Sequence, residues 1–198
     1  VYKNTETVTN TYLDAVAARR GHPSRTVSYT YKTAGSVAFN AATQSYEESA
    51  NPVRIERSTT DYVYDTRGYA TDQTSVREKW YNSAWEISTE TVIRNEEIDN
   101  RGDAGVQYIT TYTTDEAGAY ITKDGVKLAS TYQVITNRVF DGEHNVVNQM
   151  AYTYDEKDSA SYAGKLLLDV QEIRGIGFIG GTAATQFIAT YSGIEKRD

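Results

Sequence analysis

The chain has 198 residues, 39% of them hydrophobic, and a formal net charge of −7. This length allows a buried core, and the acidic balance argues against nucleic acid and anionic membrane surfaces as partners, because both bind basic patches. The chain has no cysteine, which excludes disulfides and thiolate metal sites, and no apolar run reaches the length of a spanning helix, so we expect no membrane insertion.

Residues 1–26 predict a partial structural unit followed by a short helical connection. The segment VTNTYLD is similar to the end of a later strand, with Tyr12 in the place that Tyr112 occupies there. The segment LDAVAARRG contains good helix formers and ends at Gly21, with Pro23 soon after, which is typical of a helix C-terminus. We therefore expect the chain to begin in mid-unit, with a strand that lacks a partner from its own unit.

Residues 27–198 contain five approximate copies of one unit, which together predict a β-repeat domain. The last three copies are the clearest, since the hexads QYITTY, QMAYTY and QFIATY begin at Gln107, Gln149 and Gln186. An earlier copy begins at Asp61, and the faintest begins at Val27 and ends at residue 46. Self-similarity at intervals of this size is the signature of repeat architectures.

Each copy predicts a strand, a tight turn and a second strand. Asp-x-Arg-Gly occupies the turn at residues 65–68 and 99–102, and Asp suits the first position of a turn while Gly suits the last. The hexads alternate with period two, which places Tyr108, Thr110 and Tyr112 on one face of a strand. We interpret these as core residues, forming an aromatic-rich row that stacks from copy to copy.

These patterns predict an all-β fold. Repetitive antiparallel hairpins would form an elongated sheet, a sandwich or a solenoid-like array, with one short N-terminal helix. Before the last hexad, the run LLLDV at Leu166 predicts a buried strand.

One family resemblance accompanies the repeat. The segment YVYDTRG at residues 62–68 is similar to the tyrosine–aspartate (YD) repeat of bacterial Rhs and related surface proteins, with echoes at residues 29–31 and 152–155. The resemblance covers most of residues 27–191 in character. It implies spiralling β-sheets on large secreted or surface proteins that serve as shells or stalks rather than as enzymes. An extracellular or cell-surface location follows from it as an expectation.

No residue set in the sequence predicts catalysis, a bound cofactor or a metal site, so we expect none of the three. The two histidines, His22 and His144, lie in different loop contexts. The acidic doublets at residues 47–48 and 96–97 read as solvated charges, because adjacent residues of a strand point to opposite faces. Calcium is the one ion kept as an alternative, at Asp-rich turns 99–103, 115–116 and 155–158, although none matches a known calcium loop.

The tripeptide Arg101-Gly102-Asp103 has the integrin-recognition sequence, yet its Arg-Gly already belongs to the repeated turn, as at residues 67–68. We therefore interpret it as a structural turn. Adhesion through this tripeptide is the weaker reading.

Two functional hypotheses remain, besides a third, enzymatic one that nothing in the sequence supports. The first is a non-enzymatic extracellular structural protein, whose copies join by strand complementation into a filament, sheath or surface layer. The alternative is a carbohydrate-binding or adhesion module from a larger surface protein, with polysaccharide as its partner. Trp80 and Trp85 would be its platform, although a straight strand would place residues five apart on opposite faces.

Overall fold

The computed structural model describes residues 5–154 and 167–192, which are almost entirely β-strand. The all-β prediction is thereby confirmed. The strands are β1 (Thr5–Thr11), β2 (Arg25–Tyr31), β3 (Val37–Asn40), β4 (Ser45–Glu48), β5 (Arg54–Tyr64), β6 (Ala70–Tyr81), β7 (Ala84–Ile98), β8 (Ala104–Thr113), β9 (Thr122–Lys123), β10 (Val126–Lys127), β11 (Ala129–Phe140), β12 (Val146–Tyr154), β13 (Leu167–Ile179) and β14 (Thr182–Ser192). Helix α1 (Ala15–Arg20) follows β1, and a single 3₁₀ turn (Ala34–Ser36) precedes β3.

Ten of these strands form one antiparallel sheet, in the order β1-β2-β5-β6-β7-β8-β11-β12-β13-β14. Most neighbours in this order are also consecutive in the chain, because short turns join antiparallel strands. The pairs β3–β4 and β9–β10 each form a separate two-stranded sheet. The large sheet is therefore a meander with two small hairpins inserted between its strands.

The predicted N-terminal helix is confirmed. The Asp14 side chain caps α1, because its Oδ1 accepts hydrogen bonds from the amides of Val16 and Ala17, both at 2.8 Å. Gly21 ends the helix with a φ of 69°, a left-handed conformation that favours glycine. The strand expected before the helix is β1, which pairs with β2 along its whole length.

One compact unit comprises residues 1–62, 74–90 and 114–119. Its interior is centred on Tyr31, whose side chain is fully buried and whose hydroxyl hydrogen-bonds Thr7 and Glu48. The faint copy predicted between Val27 and residue 46 differs from the later ones. Its first strand, β2, pairs directly with β5, and the rest of it folds into the small β3–β4 hairpin.

The other compact unit comprises residues 63–73, 91–113 and 120–198. The three clear hexads lie on β8, β12 and β14, so the prediction that they form the second strand of a hairpin is confirmed. The strand predicted at LLLDV is β13, which begins at Leu167, while Leu166 lies outside the described residues. This strand is buried only in part, since Val170 is 1% exposed whereas Leu168, two residues earlier, is 46% exposed.

The predicted aromatic row crosses five strands of this unit, but it joins different positions of the hexads. The residues that pair in succession are Tyr108, Val134, Tyr152, Val170 and Tyr191. Its three tyrosines are the second, fourth and sixth residues of their hexads. Each hairpin is therefore displaced by two residues relative to the preceding one, and aromatic residues alternate with valines, which is a stabilising cross-strand arrangement.

Four turns share one geometry, and three of them join strands of the large sheet. They begin at Asp65, Asp99, Asp115 and Asp141, and in each the Asp Oδ1 accepts hydrogen bonds from the amides two and four residues later, at 2.7–3.0 Å. The fourth residue of each turn has a positive φ, and it is glycine in three turns and His144 in the last. The division of the chain at residue 26 into a half-unit and a five-unit repeat domain stays a prediction.

Candidate functional sites

The β14 edge is the first candidate site. This strand stands last in the order of the large sheet, and its apolar side chains are exposed on both faces. Phe187 and Tyr191 lie on one face and Ile188 on the other, because side chains alternate along a strand. Their exposed fractions are 59%, 45% and 56%. In a folded sheet such residues are normally covered by a further strand or layer.

The opposite end of the sheet order is more polar. Strand β1 has the sequence TETVTNT, with Glu6 as its one charged residue, and Val8 is its exposed apolar side chain. Within the described ranges, β2 is the strand that pairs with β1. Both ends of the sheet order thus present a strand with little charge.

The second candidate site is a groove of about 750 Å³ in the unit that contains residues 74–90. Trp80 and Tyr81, both exposed, contribute its aromatic lining. The polar lining consists of Glu56, Lys79, Glu86, Ser88, Thr114, Asp115 and Glu116. Seven of the twelve lining residues are thus polar or charged, so the aromatic residues are the smaller part of the lining.

Trp80 and Trp85 lie on the same side, which corrects the expectation of opposite faces. Asn82 and Ser83 form a two-residue turn with φ values of 47° and 65°, so β6 ends and β7 begins between the two tryptophans. A turn of this length places Trp80 directly across from Trp85. Their ring centroids are 5.2 Å apart with an edge-to-face tilt of 67°. The Asn-Ser pair was the available sequence signal, because Asn tolerates positive φ.

The Asp-rich turns considered for calcium use their carboxylates to hold the backbone. In the Asp99 turn, Oδ1 accepts the amides of Arg101 and Asp103, while Oδ2 faces the Arg101 guanidinium at 3.3 Å. These amide hydrogen bonds, that of Asp103 above all, lower the pKa of Asp99. Among the described residues no three His, Asp or Glu side chains converge as a metal site would require. Residues 155–158 lie outside the described residues, and the expectation of no bound cofactor stays a prediction.

The integrin-like tripeptide is built into its turn. Asp103 has only 12% of its side chain exposed, and it contacts Arg101 Nη2 at 3.1 Å and His144 Nδ1 at 2.9 Å. Gly102 has a φ of 94°. An acidic group that is covered by the Arg101 guanidinium and the His144 ring of its own chain is poorly placed for an external receptor, so the interpretation as a structural turn is favoured.

The remaining candidate residues show no catalytic grouping in the part of the chain described here. His22 follows the helix cap, and its amide donates to the Ala17 carbonyl oxygen at 3.0 Å. The doublet at residues 47–48 is not simply solvated, because Glu48 pairs with Arg54 and its pKa is lowered chiefly by that hydrogen bond. Glu96 likewise pairs with Arg94 at 2.6 Å. The absence of catalytic residues stays a prediction.

No helix among the described residues has the length and apolar character needed to cross a bilayer. No protein-family model matches the chain, and no curated protein matches it. The resemblance to YD-repeat proteins therefore gains no support from these comparisons. Among solved structures, the chain is similar to a protein of unknown function from Bacteroides fragilis NCTC 9343, at 14% identity and a TM-score of 0.40. The match covers 84% of this chain and 91% of that one, and it carries no functional argument.

Proposed function

We propose that the protein is a non-enzymatic structural subunit of an extracellular assembly, in which copies join by strand complementation into a filament, sheath or surface layer. One observation carries the proposal. Strand β14, the last strand of the sheet order, exposes Phe187, Ile188 and Tyr191 on its two faces. An added strand would cover these side chains and continue the backbone hydrogen bonding of the sheet.

The chemistry of β14 favours a second copy of the chain as the partner. None of the residues of β14 is charged, whereas 24% of the chain is Asp, Glu, Lys or Arg. Two copies with a net charge of −7 repel each other over most of their surface, so an uncharged edge is where they approach at least cost. Edge strands that stay single usually carry charges or proline, and β14 carries neither.

The receiving edge in this proposal is β1 of the next copy. Pairing β14 of one copy with β1 of the next uses two different edges. The growing assembly therefore always ends in one β14 edge and one β1 edge, and growth continues. Backbone hydrogen bonds supply the attraction along the strand, and covering each half-exposed apolar side chain adds on the order of 1 kcal/mol. A closed pair through β14 alone would instead stop at a dimer.

The experiment compares assembly of the wild-type chain with that of edge variants by sedimentation velocity and negative-stain microscopy. Ile188→Lys and Phe187→Lys place a charge on β14, and Val126→Lys is the matched control. Val126 is 63% exposed but belongs to the small β9–β10 sheet. We expect fibres or sheets from the wild type and the control, and monomers from both β14 variants. A wild type that remains monomeric, or β14 variants that assemble like the control, would contradict the proposal.

A further inference from the structure

We propose that the contact between copies has a second part, in which the α1 segment (residues 13–20) of one copy docks on the β13–β14 hairpin of another. The inference rests on the proposed pairing of β14 with β1 and names a further surface of that joint. Leu13 and Ile179 carry it, because they have the largest exposed fractions among the apolar side chains of the described residues, 82% and 78%. Leu13 lies just before the Asp14 cap of α1, and Ile179 ends β13.

The direction of the strands decides which ends of the two copies meet. The large sheet is antiparallel, and sheets of one kind are favoured over mixed ones, so an added strand continues the antiparallel pattern. Strand β14 begins at Thr182, next to the hairpin turn, and β1 ends at Thr11, two residues before Leu13. Antiparallel pairing therefore places the α1 segment beside the β13–β14 hairpin, whereas parallel pairing would place it at the other end of β14.

The register that best covers the exposed apolar side chains also brings Leu13 to the hairpin. Val8 is the middle residue of β1 and Phe187 the middle residue of β14, and each is 59% exposed. Placing them opposite each other pairs the whole of β1 and forms a β-branched–aromatic pair, which stabilises a sheet. Leu13 is then level with Thr182, whose partner on β13 is Ile179. The two most exposed apolar side chains therefore meet at one end of the joint.

The charges at this end of the joint favour a second copy of the chain as the occupant. The α1 segment ends with Arg19 and Arg20, both exposed, and Asp14 is its one acidic residue. The hairpin borders a cavity of about 500 Å³ that is lined by Thr182 and by the exposed Glu143 of a neighbouring turn. The basic end of α1 thus approaches an acidic turn, in a chain whose net charge of −7 otherwise opposes association.

The first test introduces pairs of cysteines, since the chain has none of its own. The full chain that carries Leu13→Cys and Ile179→Cys is assembled and treated with a short bismaleimide, which joins two thiols. We expect a ladder of covalent dimers, trimers and longer products in denaturing gels, because each copy is linked to the next. Leu13→Cys with Thr190→Cys is the matched control, since Thr190 is exposed on β14 but lies near its other end. A ladder from the control pair instead would show parallel pairing and overturn the proposal. Dimers formed by Leu13→Cys alone, with no ladder from the first pair, would assign the α1 segment to a two-fold contact with itself and also overturn it.

A second cysteine pair separates this inference from the proposed function. Val8→Cys with Phe187→Cys reports the strand joint itself, because directly opposite residues lie within the reach of a disulfide. If this pair forms disulfides under oxidation while the Leu13–Ile179 pair gives no ladder, the strand joint stands and the docking of α1 is overturned. A wild type that does not assemble, with no linkage by either pair, overturns both.

A third measurement asks whether the docked side chain contributes to assembly. Leu13→Asp should raise the lowest protein concentration at which assemblies form roughly 10-fold, which is the effect of leaving one leucine uncovered at the joint. The midpoint of thermal unfolding of the single copy should not change, because Leu13 is exposed there. Val126→Asp, on the separate β9–β10 sheet, is the control and should assemble like the wild type. Equal assembly concentrations for the two variants overturn the proposal.

Discussion

The Arg67 guanidinium donates a hydrogen bond to the carbonyl oxygen of Asp99 at 3.2 Å, so the turn of one hairpin is tied to the turn of the next. A second hydrogen bond, at 3.1 Å, reaches the carbonyl oxygen of Ile98. Arg101 repeats the arrangement by donating to the Asp141 carbonyl oxygen at 3.1 Å. The arginine of the repeated turn thus links successive hairpins, because its planar fork can donate to more than one carbonyl oxygen at once.

Arg67→Ala should lower the free energy of unfolding by about 1 kcal/mol, because it removes two charge-assisted hydrogen bonds from a partly exposed site. Urea denaturation monitored by circular dichroism measures the change. Arg94→Ala is the control, since Arg94 pairs with Glu96 on the surface and makes no such link between turns. Its effect should stay below about 0.5 kcal/mol. Equal losses from both variants would show that the link between turns adds nothing.

The protein should lose stability in acid, because the aspartates of the turns become protonated there. Hydrogen bonds from the turn amides lower the pKa of Asp65 and Asp99, while the Asn145 side chain and amide lower that of Asp141. A carboxyl whose folded pKa is depressed stabilises the fold fully above its unfolded pKa, near 3.8, and loses this contribution as pH falls through the lower folded value. The midpoint temperature of thermal unfolding should therefore be nearly constant from pH 7 to about pH 5 and decline steeply below about pH 4.

The triple variant Asp65→Asn, Asp99→Asn and Asp141→Asn isolates this effect. The Asn side-chain oxygen still accepts the turn amides but does not titrate in this range. We expect the variant to be less stable than the wild type at pH 7 and to have a flatter profile below pH 4. Asp124→Asn, in the separate β9–β10 turn, is the control. It should preserve the slope of the wild-type profile of stability against pH. An unchanged slope in the triple variant would assign the acid response to other carboxyls.

The strands and turns of the later copies could be predicted because their causes are local. Alternation in the hexads and the Asp and Gly of the turns each act within a few residues. The displacement of two residues between hairpins could not be predicted, because it depends on the register between strands of different hairpins, which no local signal sets. The pairing of β11 shifts between Thr136 and Val139, and that of β12 with β13 shifts at Tyr154. No single residue in the sequence marks these irregularities.

The candidate sites were less accessible to sequence reasoning. The faces of Trp80 and Trp85 depended on a turn without glycine or proline, which the pattern of apolar residues does not reveal. The exposure of Phe187 depends on which strands surround β14. The corresponding hexad on β12 lies between β11 and β13, and its residues are buried or half-buried. A repeated motif therefore predicts a repeated strand, while its burial is decided by its place in the sheet.

Gly102→Ala should cost about 1–3 kcal/mol of unfolding free energy, because Gly102 has a φ of 94° and a Cβ there would lie 2.9 Å from two ring carbons of Tyr69. The matched control is Gly142→Ala in the turn that begins at Asp141. A Cβ at Gly142 would meet no atom within 4 Å, and its φ lies outside the left-handed region. That variant should be neutral or slightly stabilising. Chemical denaturation of both proteins checks the difference, and similar losses would contradict it.

Val170 lies between Tyr152 and Tyr191 in the row that crosses five strands, and it is 1% exposed. Val170→Ala removes two methyl groups from this packed position, so we expect a loss of about 2 kcal/mol from transfer free energy and the cavity that remains. Leu168→Ala on the same strand removes more atoms, yet Leu168 is 46% exposed, and its loss should be below about 1 kcal/mol. Urea denaturation of the monomeric Ile188→Lys background separates these effects from assembly. A larger loss from Leu168→Ala would mean that Leu168, and not the row through Val170, carries the packing of β13.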